Sequence, residues 1–344
     1  ATRPDYGRDE VRQFLIDNAL MWLQDYRIDG LRLDSTVNIR NANGEDGPNG
    51  DLDDGWRFLS DLADTVHHHC PGKLLIAEDL QQNPLVTTSL DEGGLGFDLQ
   101  WAAGFVHPVR AVLETALDDE RDLSAVAAAL AVTPPFRRVV YTESHDEVAN
   151  GRTRITAEVD EDDPGSWQAL RRAALGAVLV MAASDVPMLF QGQEWADEDW
   201  FDDAQELRWD RRDDRTGTVL MWRDLIRLRT GSDDRAGGLR GDQISVHRHG
   251  DDAVIGVLRW GVGGLDAATL IVANFSARSV TTRIGVPAAG AWAPVFDSTW
   301  SGYHPTGADV LAAGYETVDD DCDSQPFAVD VTLDSYGAAI LVRS

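Results

Sequence analysis

The sequence is poor in cysteine: it has only Cys70 and Cys322, which lie far apart along the chain. Two isolated thiols are not a disulfide framework, so the pattern excludes a small disulfide-stabilised scaffold. Long apolar runs are also absent. The alanine-rich run at 173–183 comes nearest, and it falls short of the roughly 20 apolar residues that a membrane-spanning helix needs. We therefore expect a fold that depends on a hydrophobic core, which the 43% hydrophobic content can supply.

Positive charge is scarce as well. Lys73 is the only lysine, and 30 basic residues stand against 59 acidic ones, which gives a net charge of −29. Such a chain repels phosphate backbones, so we expect no nucleic-acid partner and no docking on anionic membranes. A neutral or cationic partner fits this charge, and acidity that only maintains solubility is the alternative. The oligomeric state is left open by the sequence.

Helical and strand-like patterns alternate over residues 1 to about 230. Apolar residues recur at helical spacing over 8–26, 166–184 and 216–230. Short apolar runs between the helical patterns predict about five strands, near residues 31, 74, 97, 138 and 187. Such alternation is typical of parallel βα units, whose polar groups gather at the strand ends.

From about residue 240 the pattern changes. Short strand-like runs follow one another, separated by Gly, Asp and Pro turns, and no helical period appears. This pattern predicts an antiparallel β-sandwich. The polar, glycine-bearing stretch at 229–238 is typical of a linker, so we predict one domain over 1–235 and a second over 236–344.

Charged residues mark the ends of three predicted strands. In Leu31-Arg32-Leu33-Asp34 apolar and charged residues alternate, so Arg32 and Asp34 share one face. Glu78 and Asp146 also follow short apolar runs. Carboxylates that converge at one mouth of a barrel are what glycoside cleavage requires, one as a nucleophile and one as a protonated acid. Ordinary helix capping and salt bridging are the alternative, because carboxylates are common at strand ends.

Three short motifs carry a family resemblance. "DGLRLDS" at 29–35, "IAEDL" at 76–80 and "ESHDE" at 143–147 resemble, in order and spacing, motifs of the α-amylase family, glycoside hydrolase family 13. "FQGQEW" at 190–195 and "GFDLQW" at 96–101 resemble the branching-enzyme and maltooligosyl trehalohydrolase side of that family. The resemblance runs from about residue 5 to residue 344.

The resemblance implies a role for each motif residue. Asp34 is expected to be the nucleophile, with Arg32 as its partner in substrate binding, and Glu78 the general acid and base. Asp146 is expected to stabilise the transition state, and His145 to contact the sugar. No cofactor and no metal site is implied.

The resemblance also implies a fold and a reaction. The three motifs lie on the fourth, fifth and seventh strands of a (β/α)8 TIM barrel, and the family's first motif should precede residue 29 by more than the sequence allows. We therefore expect an α/β chain that carries the second half of the barrel, strands 4–8, followed by an all-β sandwich. The expected activity is that of a cytoplasmic, retaining, α-glucan-active enzyme, with branching favoured over α-amylase or trehalohydrolase chemistry. A non-catalytic glycan-binding fragment is the alternative of another class.

Two segments raise the question of a metal site, and three aromatic residues raise the question of sugar stacking. Consecutive histidines at 67–69 suggest a metal, but neighbouring helical residues point in different directions. The loop at 41–55 is rich in Asn, Asp and Gly but lacks the calcium-loop pattern. Trp101, Trp200 and Phe201 could stack on sugars or could pack within the protein.

Overall fold

The structure, a computed structural model, describes residues 3–249, 253–304 and 314–344. The chain divides into two compact units, the first made of 1–104 and 136–139 and the second of 105–135 and 140–344. The predicted domain boundary between residues 235 and 236 rests on the change in sequence pattern and stays a prediction.

The first unit is built on parallel strands. Its strands are β1 Gly30–Leu33, β2 Leu74–Ala77, β3 Leu99–Trp101 and the first two residues of β4, Arg138–Val140. They pair in the order β1-β2-β3-β4, with Gly30 opposite Leu74 at the start of the first pair. Glycine is required at that position, because a Cβ on Gly30 would lie 2.6 Å from the carbonyl oxygen of Leu74.

Helices cover this sheet and enclose the core of the first unit. They are α1 Asp9–Leu20, α2 Thr36–Arg40 and α3 Asp53–His69, and a π-helical turn at Met21–Asp25 continues α1. The core includes one face of α3, with Leu59, Leu62 and Val66, together with Leu75 and Ala77 of β2. The helix predicted over 8–26 is thus present.

The helices of the second unit begin with α4, of which residues 103 and 104 belong to the first unit. They are α4 Ala103–Glu114, α5 Leu123–Leu130, α6 Ile155–Val159, α7 Trp167–Ala182, α8 Trp209–Asp214 and α9 Thr216–Thr230. Strand β5 is Val186–Pro187, and the amide of Met188 donates to the carbonyl of Val140 at 2.9 Å. All five strands predicted for the α/β part are present, and β5 is only two residues long.

The alanine-rich run lies within α7 up to Ala182, and this helix is buried over most of its length. Buried on nearly all sides, the run is apolar because it packs against neighbouring elements. Among the described residues, no helix combines the length and the apolar character needed to cross a membrane.

After α9, the described residues of the second unit form mainly antiparallel β-structure. Its strands are β6 Gln243–His249, β7 Val254–Trp260, β8 Thr269–Asn274, β9 Val280–Val286, β10 Ala291–Asp297, β11 Tyr315–Glu316, β12 Phe327–Leu333 and β13 Ala338–Arg343. They form one sheet in the order β11-β10-β13-β8-β7-β6 and a pair β12-β9. Apolar residues from both, such as Leu270 and Val331, share one core. The predicted all-β region is therefore confirmed.

Candidate active site

Strand β1 presents two different faces. Leu31 and Leu33 are partly buried and pack against the core of the first unit. Arg32 lies between them in the sequence and so points to the opposite face. The alternation therefore separates a packing face from a polar face.

The Arg32 guanidinium contacts two of the predicted catalytic residues. Its Nη1 lies 2.5 Å from Oδ1 of Asp34, and its Nη2 lies 3.0 Å from Oε2 of Glu78. The plane of the guanidinium is backed by Trp101 of β3, whose ring centre is 4.4 Å from Cζ. Cation–π contact and two ion pairs together fix the position of this positive charge.

The two carboxylates differ sharply in environment. The Asp34 side chain is 79% exposed, whereas the Glu78 side chain is 10% exposed. Oε2 of Glu78 also accepts a hydrogen bond of 2.6 Å from the backbone amide of Ser35. Ser35 adopts a left-handed conformation, with φ 47° and ψ 49°, between β1 and α2. An exposed carboxylate and an enclosed one thus share one arginine.

Residues next to Glu78 anchor its strand end. The amide and hydroxyl of Thr36 donate to the Glu78 carbonyl at 3.0 and 3.1 Å. Asp79, which is fully buried, accepts two hydrogen bonds from Arg40. Burial lowers the pKa of Arg40, but the hydrogen bonds and charges of Asp79 and Asp46 outweigh burial and raise the pKa above its ordinary value. The charge of Arg40 is thus secured beside the site.

Two further predicted site residues lie in the second unit, just after β4. Nε2 of His145 is 3.3 Å from Oδ2 of Asp146, and the two side chains are 44% and 50% exposed. The buried hydroxyl of Ser144 accepts hydrogen bonds of 3.2 Å from the amides of Asp146 and Glu147. These two bonds form a tight turn that starts at Ser144. The ring of His145 stands edge-on to Phe201, with centres 6.3 Å apart.

The other two acids of the same motif are engaged in buried contacts. Glu143 accepts hydrogen bonds from Arg154 at 2.9 Å and from the amide of Ile155 at 3.0 Å. Glu147, 7% exposed, accepts one of 2.5 Å from Arg152. Of the three acids at 143–147, Asp146 is therefore the one whose carboxylate meets solvent.

The three aromatic residues that could stack on sugars or pack within the protein differ in burial and contacts. Trp101 is buried and backs Arg32, so it packs. Phe201 packs between His145 and Phe190. Trp200 is 53% exposed. The sequence raised Trp101 as a candidate but did not predict its contact with Arg32, and it did not identify the Ser35 amide as a donor to Glu78. The pairing of β1, β2 and β3 could have indicated Trp101, because all three strands end at one edge.

The metal alternatives receive no support within the described ranges. His67 contacts Asp98 at 3.2 Å, and the rings of His68 and His69 meet edge-on. The loop at 41–55 is organised around buried Asn41, whose amide donates to the carbonyl of Asn49 and to the Asp51 carboxylate. Throughout the described part of the chain, no group of three or more His, Cys, Asp or Glu side chains is placed to hold a metal ion.

Comparison with known proteins gives a family match and curated relatives. A family model described as the α-amylase C-terminal all-beta domain matches residues 244–344. The 1,4-alpha-glucan branching enzyme of Thermobifida fusca (strain YX) is 31% identical over 360 residues, covering 98% of this chain and 46% of that enzyme. The branching enzyme of Xanthomonas axonopodis pv. citri (strain 306) is 34% identical over 332 residues, covering 86% of this chain and 42% of that enzyme. The chain spans about half the length of the curated relatives it matches.

Solved structures share the fold. A pullulanase from Anoxybacillus sp. LM18-11, complexed with maltotetraose, matches with a TM-score of 0.68 and 17% identity, covering 99% of this chain and 47% of that chain. An α-amylase from H. orenii matches with a TM-score of 0.64 and 16% identity, covering 99% of this chain and 66% of that chain. These likenesses agree with barrel strands followed by an all-β domain, as the sequence predicted. The chain belongs to the α-amylase family, glycoside hydrolase family 13, and matches the C-terminal portion of its members.

Proposed function

We propose that this protein acts on α-1,4-glucosidic bonds as a retaining transglycosidase of the 1,4-α-glucan branching type. The observation that carries the proposal is the contact of one guanidinium, Arg32, with both Asp34 and Glu78. An exposed nucleophile beside an enclosed acid is the pair of carboxylates that a retaining reaction needs. The branching enzymes among the relatives support the choice of reaction.

In the first step, the Asp34 carboxylate attacks the anomeric carbon of the donor glucan. The glycosidic bond breaks, and Glu78 gives its proton to the departing oxygen, which leaves a covalent glycosyl ester on Asp34. The Ser35 amide and Arg32 hold Oε2 of Glu78 in place during the transfer. We propose that Asp146 stabilises the positive charge of the sugar in the transition state and that His145 donates to a sugar hydroxyl.

In the second step, Glu78 takes the proton of an acceptor hydroxyl, and the acceptor oxygen displaces Asp34 from the anomeric carbon. A 6-hydroxyl of a second glucan gives an α-1,6 branch, whereas water gives hydrolysis. The same carboxylates serve both outcomes, so acceptor binding and exclusion of water decide between them. The α-glucan partner and a cytoplasmic location are parts of the same proposal, and no nucleic-acid or membrane partner is proposed.

The test is product analysis with the full-length protein and amylose. We expect new α-1,6 linkages in the anomeric region of the proton NMR spectrum. New reducing ends without branches would show that the activity is α-amylase-type hydrolysis and not branching. Glycan binding without turnover would favour the non-catalytic alternative.

A matched pair of variants tests the nucleophile. Asp34→Asn replaces the nucleophilic carboxylate by a neutral amide and should abolish turnover. Asp29→Asn makes the same chemical change just before β1, at a fully exposed side chain paired with Lys73, and should retain activity. Full activity of Asp34→Asn would overturn the assignment.

A further inference from the structure

The segment that carries His145 and Asp146 is a closed loop. Its ends are held by Arg110 of α4, which donates to the carbonyl of Thr142 at 3.1 Å and to the carbonyl of Thr153 at 3.0 Å. The two carbonyls flank residues 143–152. One side chain therefore joins the point where the chain leaves β4 to the point where it enters α6.

Arg110 is itself firmly held. Its side chain is only 4% exposed, and Nη2 lies 2.8 Å from Oε1 of Glu114, one turn further along α4. The rigid guanidinium fork reaches both carbonyls and the carboxylate together. Because α4 supplies both members of the ion pair, the helix acts as a fixed support for the loop.

A second contact reinforces the closure. Glu143, at the start of the loop, accepts hydrogen bonds from the Arg154 side chain and the Ile155 amide just past its end. Within the loop, Glu147 binds Arg152, and Nε of Arg110 lies 3.7 Å from the same Glu147 oxygen. The polar groups around Asp146 are thus connected back to Arg110.

We propose that Arg110 is a positioning residue, which fixes the closed loop at 143–152 so that Asp146 and His145 meet the reacting sugar. The inference rests on the proposed function, because it assigns Arg110 an effect through Asp146. Arg110 does not itself touch substrate. The hydrogen bonds of Arg110 to the carbonyls of Thr142 and Thr153 fix the two ends of the loop. The hydrogen bond from the Asp146 amide to the Ser144 hydroxyl then fixes Asp146 relative to the first of these ends.

Lysine cannot replace Arg110 in this role. An ammonium group is a compact point charge and lacks the fork that spans two carbonyls and a carboxylate. Displacement of a catalytic group by about 1 Å can cost roughly 100-fold in rate. We therefore expect both Arg110→Lys and Arg110→Met to lower kcat by about 10- to 100-fold in the full-length protein, with KM for amylose nearly unchanged.

Arg172 supplies the matched control. It is 5% exposed, lies in the same unit and also donates to two carbonyls, those of Thr115 and Ala116. Within the described part of the chain, no hydrogen bond or ion pair joins Arg172 to the loop. Arg172→Met should lower the melting temperature without lowering kcat. Hydrogen–deuterium exchange should increase over 143–153 in Arg110→Met and stay at the wild-type rate there in Arg172→Met.

The outcomes separate the inference from the function on which it rests. An inactive Asp146→Asn together with wild-type kcat in Arg110→Met would overturn the positioning role alone. Unchanged exchange over 143–153 in Arg110→Met would also overturn it. Full activity of Asp146→Asn would remove the proposed role of Asp146 and the inference with it.

Discussion

Arg40 and Asp79 form a two-point ion pair in which neither side chain is exposed. Nε of Arg40 donates to Oδ2 at 2.7 Å, and Nη2 donates to Oδ1 at 2.8 Å. Trp56 covers the guanidinium, with its ring centre 5.3 Å from Cζ. Asp79 directly follows Glu78, so this pair holds the backbone that carries the proposed acid and base.

The first prediction concerns this ion pair. Asp79→Ala removes the buried carboxylate that accepts two hydrogen bonds from Arg40 and leaves the partly exposed Asp46 as its carboxylate partner. We expect the free energy of unfolding to fall by about 3–5 kcal/mol. Asp29→Ala breaks the exposed pair with Lys73 and should cost about 0–1 kcal/mol. Urea denaturation of both variants gives the comparison, and equal losses would contradict the prediction.

The second prediction concerns Trp101. Trp101→Leu removes the ring behind Arg32 and with it a cation–π contact of about 1–2 kcal/mol. A loss of this size in the transition state lowers kcat roughly tenfold. Trp101→Phe retains a ring and should lose less. Trp292→Leu empties a comparable volume in the β-structure core and should lower stability without this effect on rate. Steady-state kinetics at matched folded fractions separates the effects, and a wild-type kcat in Trp101→Leu would rule out the supporting role.

The third prediction concerns Ser35. Its φ of 47° costs a serine energy that glycine avoids, so Ser35→Gly should fold and keep activity. Proline fixes φ near −65° and has no amide hydrogen, so Ser35→Pro loses both the turn and the donor to Glu78. We expect a large fall in kcat for Ser35→Pro only, measured together with the melting temperature. Equal activity of the two variants would show that the amide is dispensable.

The fourth prediction concerns acid stability. Burial raises the pKa of Asp323, but contacts from His249 and the Gly285 amide outweigh burial and hold the pKa below its ordinary value of 3.8. A lowered pKa in the folded state means that the ionised form stabilises the protein above pH 3.8. That stabilisation is lost as the pH falls through the folded-state pKa. Asp323→Asn should therefore weaken the pH dependence of the unfolding free energy below about pH 4.

Urea denaturation of wild type and Asp323→Asn at several pH values between 6 and 3 gives the measurement. Asp330→Asn is a useful comparison, since Arg283 lowers the pKa of Asp330 at an exposed position, where solvent weakens the effect. Parallel curves for wild type and Asp323→Asn would contradict the prediction.

Much of the candidate site could be predicted because its positions follow local rules. The alternation at 31–34 has the period of a strand, and that period alone separates Arg32 from its leucine neighbours. The strands also end where polar residues replace apolar ones, which located Glu78. Spacing does not report burial, however: Phe14 matches the apolar spacing of α1, yet its side chain is 71% exposed.

Other features depend on contacts between distant parts of the chain. Trp101 reaches Arg32 only because β1, β2 and β3 pair in parallel, and no local pattern encodes that approach. Ser35 is left-handed without the glycine that usually marks such a turn. Three acids stand within 143–147, and the family resemblance selected Asp146 among them. Only the partners of Glu143 and Glu147 give the physical reason for that choice.

The double contact of Arg32 has a consequence for the electrical balance of the proposed cycle. Before the reaction, an ionised Asp34 and a protonated Glu78 leave the arginine and its two carboxyl groups neutral in sum. In the covalent intermediate, Asp34 is an uncharged ester and Glu78 is ionised, so the sum is again neutral. The negative charge thus passes from the Asp34 carboxylate to the Glu78 carboxylate. Arg32 lies 2.5 Å from an oxygen of Asp34 and 3.0 Å from an oxygen of Glu78, so it can balance the charge in both states without moving.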